Sequence, residues 1–321
     1  MSTIHVAVLD DYQHAAQELA DWASLGSDVR LEFFHDHVSD ETGLAERLQP
    51  FTVVAAMRER SAFRRSLIER LPNLRLLITT GMRNASIDTQ ACIERGVTLC
   101  GTVSSGLATA EMTWGLILAV ARRIPQEDHA LRLGHWQTTL GTELRGKTLG
   151  IVGLGKLGSE VARFGFAFGM DVIAWSQNLT AERAAEFGAT RVEKDQLFAR
   201  ADVVSIHLVW SKRTRGLIGA ADFARMKTGA YFINTSRAPI VETDALVAAL
   251  HEGRIAGAGI DVYDDEPLSA NHPLRDAPNT VLTPHLGYVT RETYAIWFPQ
   301  IVEDIAAWRA GDPVRVISPP Q

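Results

Sequence analysis

The sequence has few cysteines and no long hydrophobic run, and these absences exclude several classes of protein. Its 321 residues include only two cysteines, Cys92 and Cys100, which suits neither a disulfide framework nor a metal knuckle. The longest apolar stretch, residues 114–121, is too short to span a bilayer. The N-terminus, MSTIHVAVLDDY, lacks the charged and apolar regions of a signal peptide. We therefore expect a soluble, cytoplasmic protein.

A strong excess of one charge is also absent. The chain carries 32 Lys and Arg against 38 Asp and Glu, a net charge of −6, and it has no basic run or low-complexity block. Non-specific nucleic-acid binding needs a basic surface, so nucleic acid is not an expected partner. No spacing of His, Cys, Asp and Glu suggests a metal site.

The length and the rhythm of apolar runs predict two α/β domains. At 321 residues the chain is long for a single core. In the first hundred residues, short apolar runs alternate with helical patterns, which is typical of a parallel, doubly wound sheet. The predicted strands are residues 4–9, 31–34, 51–56, 74–79 and 97–100, and helices are predicted over residues 12–25, 44–48 and 64–70.

The most informative stretch is residues 147–176, KTLGIVGLGKLGSEVARFGFAFGMDVIAWS. It predicts a strand, a glycine turn, a helix and a second strand, within the ~30 residues of one βαβ unit. Gly153 would make the tight turn, Gly155 would let backbone N–H groups approach a pyrophosphate, and Gly158 would let helix and strand pack closely. The helix N-terminus offers unpaired N–H groups to phosphates. A dinucleotide cofactor is therefore expected here.

The βα rhythm continues after this unit. Further strands are predicted at residues 203–208, 230–234, 256–261 and 280–283, and a last helix at about residues 291–309. The pattern predicts a dinucleotide domain, residues 102–285, inserted into a second domain made of residues 1–101 and 286–321. Ligands in open α/β sheets bind outside the carboxyl ends of the strands, so we expect the reaction in a cleft between the two domains.

Three polar residues stand at the ends of predicted strands in the second half of the chain. Arg237 lies in NTSRAPIV, Glu266 in DVYDDEP and His285 in TPHLGY. A guanidinium suits a carboxylate, because it forms paired, charge-assisted hydrogen bonds. A histidine exchanges protons near neutral pH, and a neighbouring carboxylate orients it. Together they would suit reduction of a 2-keto acid, with Arg holding the substrate and His protonating the carbonyl oxygen.

These three motifs, with GLGKLG upstream, resemble the D-isomer-specific 2-hydroxyacid dehydrogenases, the group that contains phosphoglycerate dehydrogenase and glyoxylate/hydroxypyruvate reductase. The resemblance covers essentially the whole chain. It implies an α/β fold with two doubly wound parallel-sheet domains, a Rossmann domain inserted into a flavodoxin-like substrate domain. It also implies that Arg237, Glu266 and His285 are the catalytic residues of an NAD(P)-dependent oxidoreductase acting on the CH–OH group of 2-hydroxy acids.

The resemblance extends to residues around the cofactor and the substrate. Around the pyrophosphate it implies contacts from the glycine turn, namely Gly153, Gly155, Lys156, Leu157 and Gly158. At the end of the next strand, Ser176 or Gln177 could hydrogen-bond the ribose or accept a 2′-phosphate through neutral donors. Near the adenosine it implies His207 and Val209. At the nicotinamide end it implies Thr109, Asn234, Thr235, Ser236, Asp261 and Gly287. The family's substrate loop corresponds to Gly81, Met82 and Arg83, where small residues are commoner, and a second cation there suggests a larger or doubly acidic substrate.

The sequence leaves the choice of nicotinamide open. The NAD fingerprint places an Asp or Glu ~20 residues beyond the glycines, where it binds the ribose 2′-OH. Residues 175–178 are Trp-Ser-Gln-Asn, with neither an acid nor an arginine. NAD is the expected cofactor, and NADP is the alternative.

Two other functions share the scaffold that the resemblance implies. One is an NAD(H)-sensing binding protein of the corepressor kind, and the other is a phosphite-type oxidoreductase. The resemblance also implies a homodimer, with residues 131–146 and the helix from Thr109 as its contact. The expected partner molecule is a small 2-keto or 2-hydroxy acid, and no membrane partner is expected.

Overall fold

The computed structural model describes residues 3–103 and 106–318. The chain divides into two compact units, residues 1–105 with 290–321 and residues 106–289. The boundaries expected from the sequence, after residues 101 and 285, lie four residues before these divisions. We call the two parts the first unit and the second unit, and each is described by itself.

The first unit is built on a five-stranded parallel sheet with the strand order β2-β1-β3-β4-β5. Its strands are β1 (Ile4–Val8), β2 (Val29–Phe33), β3 (Val53–Ala56), β4 (Leu76–Thr79) and β5 (Thr98–Gly101). The helices between them are α1 (Ala16–Leu19), α2 (Glu41–Leu48), α3 (Arg65–Glu69) and α4 (Thr89–Glu94). Every residue of β3 and β4 is buried, which explains why these strands appear in the sequence as unbroken apolar runs.

The predicted helix over residues 12–25 is only partly present. The structure has the short helix α1 and then a 3₁₀ turn at Trp22–Leu25. The Trp22 indole N–H donates to the Ala16 carbonyl oxygen at 2.7 Å, and the chain changes direction between the two pieces. A local side-chain contact of the buried Trp22 thus accompanies the break in the helix that the sequence pattern indicated.

The second unit contains a seven-stranded parallel sheet with the strand order β12-β11-β10-β9-β6-β7-β8. Its strands are β6 (Thr148–Val152), β7 (Asp171–Trp175), β8 (Thr190–Arg191), β9 (Val203–Ile206), β10 (Tyr231–Asn234), β11 (Gly257–Ile260) and β12 (Thr280–Leu282). Its helices are α5 (Ala108–Ala121), α6 (Ile124–Arg132), α7 (Lys156–Ala167), α8 (Ala181–Ala185), α9 (Lys194–Arg200), α10 (Ala220–Arg225) and α11 (Thr243–His251). The chain then returns to the first unit as α12 (Arg291–Arg309).

Two hydrophobic clusters cover the faces of the second sheet. Ile151 belongs to a cluster that includes Trp114 of α5, whereas the next residue, Val152, belongs to a cluster that includes Phe198 of α9. Consecutive strand residues point to opposite faces, so helices pack on both sides of the sheet. This is the doubly wound parallel fold that the sequence predicts.

The helix α6 was not predicted from the sequence. Across residues 3–103 and 106–318, no helix combines the length and the apolarity that a membrane crossing requires. In the same ranges, no three His, Cys, Asp or Glu side chains form a group suited to a metal ion.

Candidate active site

The glycine turn between β6 and α7 leaves the start of the helix open. Gly153 has φ = 103°, in the region that favours glycine. A Cβ atom on Gly158 would lie 2.0 Å from the Gly153 carbonyl oxygen, so α7 and the turn pack as closely as the sequence motif requires. A Cβ atom on Gly155 would meet no atom within 4 Å. Gly155 is the N-cap residue of α7, and no side chain caps this helix.

This geometry fits the pyrophosphate of a dinucleotide. The first N–H groups of a helix lack partners within the helix, and no side chain at the α7 cap position accepts from them. Open space at Gly155 allows a ligand to approach the backbone. Lys156 and Leu157 begin the helix, and Lys156 is exposed, so its ammonium group adds positive charge at the same point.

Two loops flank the glycine turn at the carboxyl edge of the sheet. After β7, Ser176 is partly buried and Gln177 is exposed. After β9, His207 Nε2 lies 2.8 Å from Ser205 Oγ, and Val209 is 72% exposed. Removal from water lowers the pKa of His207 to about 4, so its imidazole is neutral at pH 7. The residues predicted to contact the ribose, Ser176 and Gln177, and those predicted near the adenosine, His207 and Val209, therefore follow the two strands that neighbour β6.

A histidine–carboxylate pair lies in the same unit. His285 Nδ1 is 2.7 Å from Glu266 Oε2, although 19 residues separate them in the chain. Glu266 Oε1 accepts a hydrogen bond of 3.0 Å from the Tyr263 backbone N–H, which fixes the carboxylate. Both side chains keep some exposure, 14% for His285 and 24% for Glu266. The pair is thus oriented and still accessible to a small molecule.

Arg237 projects from the turn that follows β10. Asn234 ends this strand, and its side chain bridges the turn: Oδ1 accepts from Ser236 N–H at 3.0 Å, and Nδ2 donates to the Arg237 carbonyl oxygen at 3.2 Å. Ser236 Oγ–H donates to the Leu208 carbonyl oxygen at 2.5 Å. Hydrogen bonds from Asn234 and Ser236 therefore hold the backbone that carries the guanidinium.

Asp261 organises the loop that carries His285. Its buried carboxylate accepts from Thr283 Oγ1–H at 2.6 Å, Leu286 N–H at 2.7 Å and Gly287 N–H at 2.8 Å. Burial raises the pKa of Asp261, while these hydrogen bonds favour the charged form. Because the carboxylate binds the Thr283 hydroxyl before residue 285 and two backbone N–H groups after it, Asp261 positions the histidine. The sequence predicted a cofactor contact at this residue and gave no sign of this network.

Thr113 is a site neighbour that the sequence reasoning missed. Its hydroxyl lies 2.7 Å from Thr235 Oγ1, and it also donates to the Thr109 carbonyl oxygen at 2.8 Å. Thr109 Oγ1–H in turn donates to the Gly287 carbonyl oxygen at 2.9 Å. The spacing of four residues between Thr109 and Thr113 places both on one face of α5, and this signal would have identified Thr113 beside Thr109.

The predicted substrate loop belongs to the first unit and not to the second. Gly81 has φ = 98°, and its N–H already donates to Thr102 Oγ1 at 2.9 Å. The Arg58 guanidinium donates to the Thr80 carbonyl oxygen at 2.7 Å and fills the space where a Cβ atom of residue 81 would stand. Met82 and Arg83 are exposed at the tip of this loop.

Comparison with known proteins places the chain in a family. The family model described as "D-isomer specific 2-hydroxyacid dehydrogenase, NAD binding domain" matches residues 114–287. A glyoxylate reductase of Aeropyrum pernix is 41% identical over 255 residues, which is 76% of each protein. The chain belongs to the D-isomer-specific 2-hydroxyacid dehydrogenase family. It is an oxidoreductase, and its cofactor is NAD.

Further members of the family show how far the likeness extends. A D-3-phosphoglycerate dehydrogenase of Archaeoglobus fulgidus is 38% identical over 78% of this chain and 48% of its own length, so the chain spans about half of that relative. The crystal structure of a phosphoglycerate oxidoreductase from Vibrio cholerae matches with a TM-score of 0.91 and 39% identity, over 96% of this chain and 99% of the other. The family and the Rossmann cofactor fold expected from the sequence motifs are thus confirmed for this 2-hydroxyacid dehydrogenase.

Proposed function

We propose that this dehydrogenase interconverts a small 2-keto acid and the D-2-hydroxy acid, with reduction as the main direction. The observation that carries the proposal is the 2.7 Å contact between His285 and Glu266, in the same unit as the open glycine turn. The name of a relative supports the substrate class: glyoxylate/hydroxypyruvate reductase B of Klebsiella pneumoniae is 37% identical over 71% of this chain and 73% of its own length.

His285 is the proposed proton donor. Its Nδ1 atom is bonded to Glu266, so Nε2 is the ring nitrogen left to face a substrate. The carboxylate keeps the ring in one orientation. In the reductive direction the Nε2 proton passes to the carbonyl oxygen, and in the oxidative direction the same atom accepts it from the hydroxyl group.

Arg237 is the proposed substrate anchor. A guanidinium binds a carboxylate through two parallel hydrogen bonds, and a keto acid offers a carboxylate and a carbonyl oxygen in one plane. Asn234 fixes the turn that carries Arg237. This would hold the carbonyl carbon in a constant position relative to His285.

The residues proposed to hold the cofactor follow the carboxyl edge of the second sheet. The pyrophosphate would lie against the turn and the first residues of α7, and the ribose and adenine against the ends of β7 and β9. The nicotinamide end would contact the residues linked by hydrogen bonds around Asp261, namely Thr109, Asn234, Thr235, Ser236, Asp261 and Gly287. When bound, NADH supplies the hydride that the carbonyl carbon receives.

The loop of the first unit is proposed to bind the substrate through its backbone. The Gly81 N–H group is already bonded to Thr102, so Met82 and Arg83 are the loop residues whose amides we assign to a substrate carboxylate. Arg83 is an exposed cation on the same loop. A second acidic group on the substrate would suit it.

The test is NADH oxidation by the purified protein with a panel of keto acids: glyoxylate, hydroxypyruvate, pyruvate, phenylpyruvate and oxaloacetate. We expect turnover on at least one of them, with the D-isomer as product, and faster turnover on a doubly acidic compound if Arg83 binds substrate. Binding of NADH without turnover on any acid would contradict the proposal and would favour the NAD(H)-sensing alternative.

We also propose that the protein is a homodimer that associates through the second unit. Apolar side chains are exposed on α6 and the loop that follows, where Leu131 is 56% exposed, Trp136 76% and Leu140 94%. An open pocket of about 570 Å³ lies beside them. Such a concentration of exposed apolar surface indicates a protein interface.

The loop after α6 is ordered although its apolar side chains are exposed. The Glu127 carboxylate accepts from the Thr138 and Thr139 hydroxyl groups at 2.9 and 2.6 Å, and these bonds lower the pKa of Glu127. We expect a dimer in sedimentation velocity, and a monomer for Trp136→Asp/Leu140→Asp. A wild-type monomer at micromolar concentration would refute the proposal.

The cytoplasm is the proposed location. Cys92 and Cys100 are both buried free thiols, and burial raises the pKa of Cys92 to about 11 and that of Cys100 to about 12. Unpaired cysteines suit a reducing compartment. Fractionation of cells that express the full chain would test this.

A further inference from the structure

We propose that the second unit also accepts NADP(H), and that Lys212 and Arg213 bind its 2′-phosphate. These two cations lie on the loop that follows β9, and Ser176 and Gln177 lie on the loop that follows β7. The inference rests on the cofactor site and not on the identity of the keto acid.

The pairing of the strands brings the two loops to one place. Val152, at the end of β6, pairs with Trp175 on one side and with Ile206 on the other. Neighbouring strands lie ~4.8 Å apart, so β7 and β9 reach the carboxyl edge about 10 Å from each other. The Gly153 N–H donates to the Trp175 carbonyl oxygen at 2.8 Å. The loops after β7 and β9 therefore flank the turn that is assigned to the pyrophosphate.

The loop after β9 has a fixed shape. Ser211 N–H donates to Thr214 Oγ1 at 2.8 Å, and the Thr214 hydroxyl donates to the Val209 carbonyl oxygen at 3.0 Å. Trp210 and Trp175 pack against the same hydrophobic cluster. Residues 212 and 213 thus belong to a closed turn after β9, and this turn packs against the same hydrophobic cluster as the end of β7.

The charges on this edge favour a phosphate. Lys212 and Arg213 are exposed, and the ion pairs found among residues 3–103 and 106–318 include neither of them. Of the acids near these loops in sequence, Asp202 pairs with Lys227 at 2.9 Å and Asp222 with Lys194 at 2.8 Å, and Glu182 is hydrogen-bonded to the Thr180 side chain.

The loop after β7 lacks the group that excludes a 2′-phosphate. A carboxylate after this strand would bind the ribose 2′-OH and repel a phosphate that carries about −1.5 to −2 charges. Residues 176–178 are Ser, Gln and Asn, which are neutral and can donate hydrogen bonds. One side of the ribose pocket is therefore neutral, and the other side carries two cations that suit a phosphate.

Fluorescence titration with NADH and NADPH, without any keto acid, tests the inference. We expect the wild-type protein to bind NADPH with a dissociation constant within about threefold of that for NADH. For Lys212→Ala/Arg213→Ala we expect the NADPH constant to rise at least about tenfold and the NADH constant to change less than about twofold. In the wild type, 2′,5′-ADP should displace NADPH better than 5′-AMP does, and this advantage should shrink as salt increases.

A matched control separates a local contact from bulk charge. Arg200 and Arg254 are exposed and precede β9 and β11, so they lie at the amino edge of the same sheet. Arg200→Ala/Arg254→Ala loses the same two charges and should bind both nucleotides as the wild type does. Gln177→Asp should weaken NADPH binding and strengthen NADH binding.

Three outcomes would overturn the inference. They are wild-type binding of NADPH more than about a hundredfold weaker than that of NADH, unchanged NADPH binding in the Lys212/Arg213 variant, and an equal loss in the control. Because no keto acid is present, a failure of the proposed reaction would leave these titrations interpretable.

Discussion

The first strand of each unit is followed by a turn and a helix, but the two helix starts differ in what occupies them. After β1, the buried Asp11 carboxylate accepts from the Ala15 and Ala16 N–H groups at 2.9 and 3.1 Å, at the start of α1. After β6, Gly155 is the cap residue and no side chain caps α7. In the first unit a carboxylate of the protein accepts hydrogen bonds from the N–H groups at the helix start, whereas in the second unit we propose that a cofactor phosphate accepts them. The same supersecondary unit therefore closes its own helix start in one domain and leaves it open to a ligand in the other.

Each unit also contains a histidine–carboxylate pair. His37 Nδ1 lies 2.9 Å from Asp10 Oδ1 in the first unit, and their side chains are 10% and 2% exposed. Asp10 Oδ2 also accepts from Ser61 Oγ–H at 3.0 Å, so this carboxylate has partners on both oxygens inside the fold. The Glu266–His285 pair is more open. Proximity alone thus does not distinguish the proposed catalytic pair from a structural one, and the two pairs differ in the exposure of their side chains.

The largest expected effect comes from breaking the pair in the second unit. His285→Ala removes the proposed proton donor, and we expect kcat/KM for the best keto acid to fall about 10³-fold, since general acid catalysis contributes ~10²–10⁴. The dissociation constant of NADH should stay within about twofold of the wild-type value, because the glycine turn is intact. Steady-state kinetics and fluorescence titration measure the two quantities.

The matched control is His37→Ala, which removes the histidine of the other pair. We expect kcat/KM to change less than about threefold, which corresponds to less than ~0.7 kcal/mol in the activation free energy. Wild-type turnover by His285→Ala would refute the catalytic role. A loss of turnover in His37→Ala as large as in His285→Ala would remove the distinction between the two pairs.

The next largest effect is expected when a carboxylate is introduced at the start of α7, where it would act as Asp11 does at the start of α1. Gly155→Asp places an acid at the cap of α7, where the structure has open space and φ is −91°. The side chain would accept from the helix N–H groups and repel the pyrophosphate. We expect NADH affinity to fall at least about a hundredfold, which is ~2.7 kcal/mol, without a decrease in thermal stability.

Gly155→Ala is the control for steric effects, since it adds a methyl group into the same space. NADH affinity should fall by less than in Gly155→Asp. If Gly155→Asp bound NADH as tightly as the wild type, the open α7 terminus would not be the phosphate site.

The smallest effect concerns two buried carboxyl groups, one in each unit. Asp261 accepts three hydrogen bonds, whereas Asp304 on α12 accepts from Arg315 at 3.0 Å through Oδ1 and has no partner for its buried Oδ2 among the described residues. Burial raises the pKa of Asp304 to about 7, against the opposing effect of Arg315. At pH values between the pKa of this carboxyl group in the unfolded chain and its pKa of about 7 in the folded protein, the folded protein holds a proton that the unfolded chain has lost. The free energy of unfolding therefore falls as the pH rises through this range.

Asp304→Asn removes this titration. Between pH 5 and pH 7, we expect the free energy of unfolding of the wild type to fall by on the order of 2 kcal/mol relative to that of the variant, since one pKa unit corresponds to ~1.4 kcal/mol. Urea unfolding at each pH measures it. Glu303→Gln removes an exposed partner of the same Arg315. Its free energy of unfolding should change with pH as that of the wild type does. Parallel pH profiles for the wild type and Asp304→Asn would contradict the expectation.

Local sequence was enough for the elements with strong patterns. The βαβ unit around Gly153, Gly155 and Gly158 was predicted from the spacing of its glycines. The backbone requires glycine at Gly153, because of its positive φ, and at Gly158, because of its close packing. The helix predicted over residues 291–309 is α12 with the same bounds. The helices α4, α6 and α9 were missed, since short helices leave weak periodicity.

The sequence by itself determined that the chain would form parallel, doubly wound sheets with a dinucleotide turn, because buried strand runs and glycine spacing are local properties of the chain. It also identified Arg237, Glu266 and His285 as polar residues at strand ends. Only the tertiary structure decided that Glu266 contacts His285 at 2.7 Å, that Asp261 holds the His285 loop, and that Asp11 closes one helix start while Gly155 leaves the other open. These contacts join residues that are distant in the chain or depend on burial. The free energy of burying a polar group depends on its hydrogen-bond partners, and a local sequence pattern does not identify them.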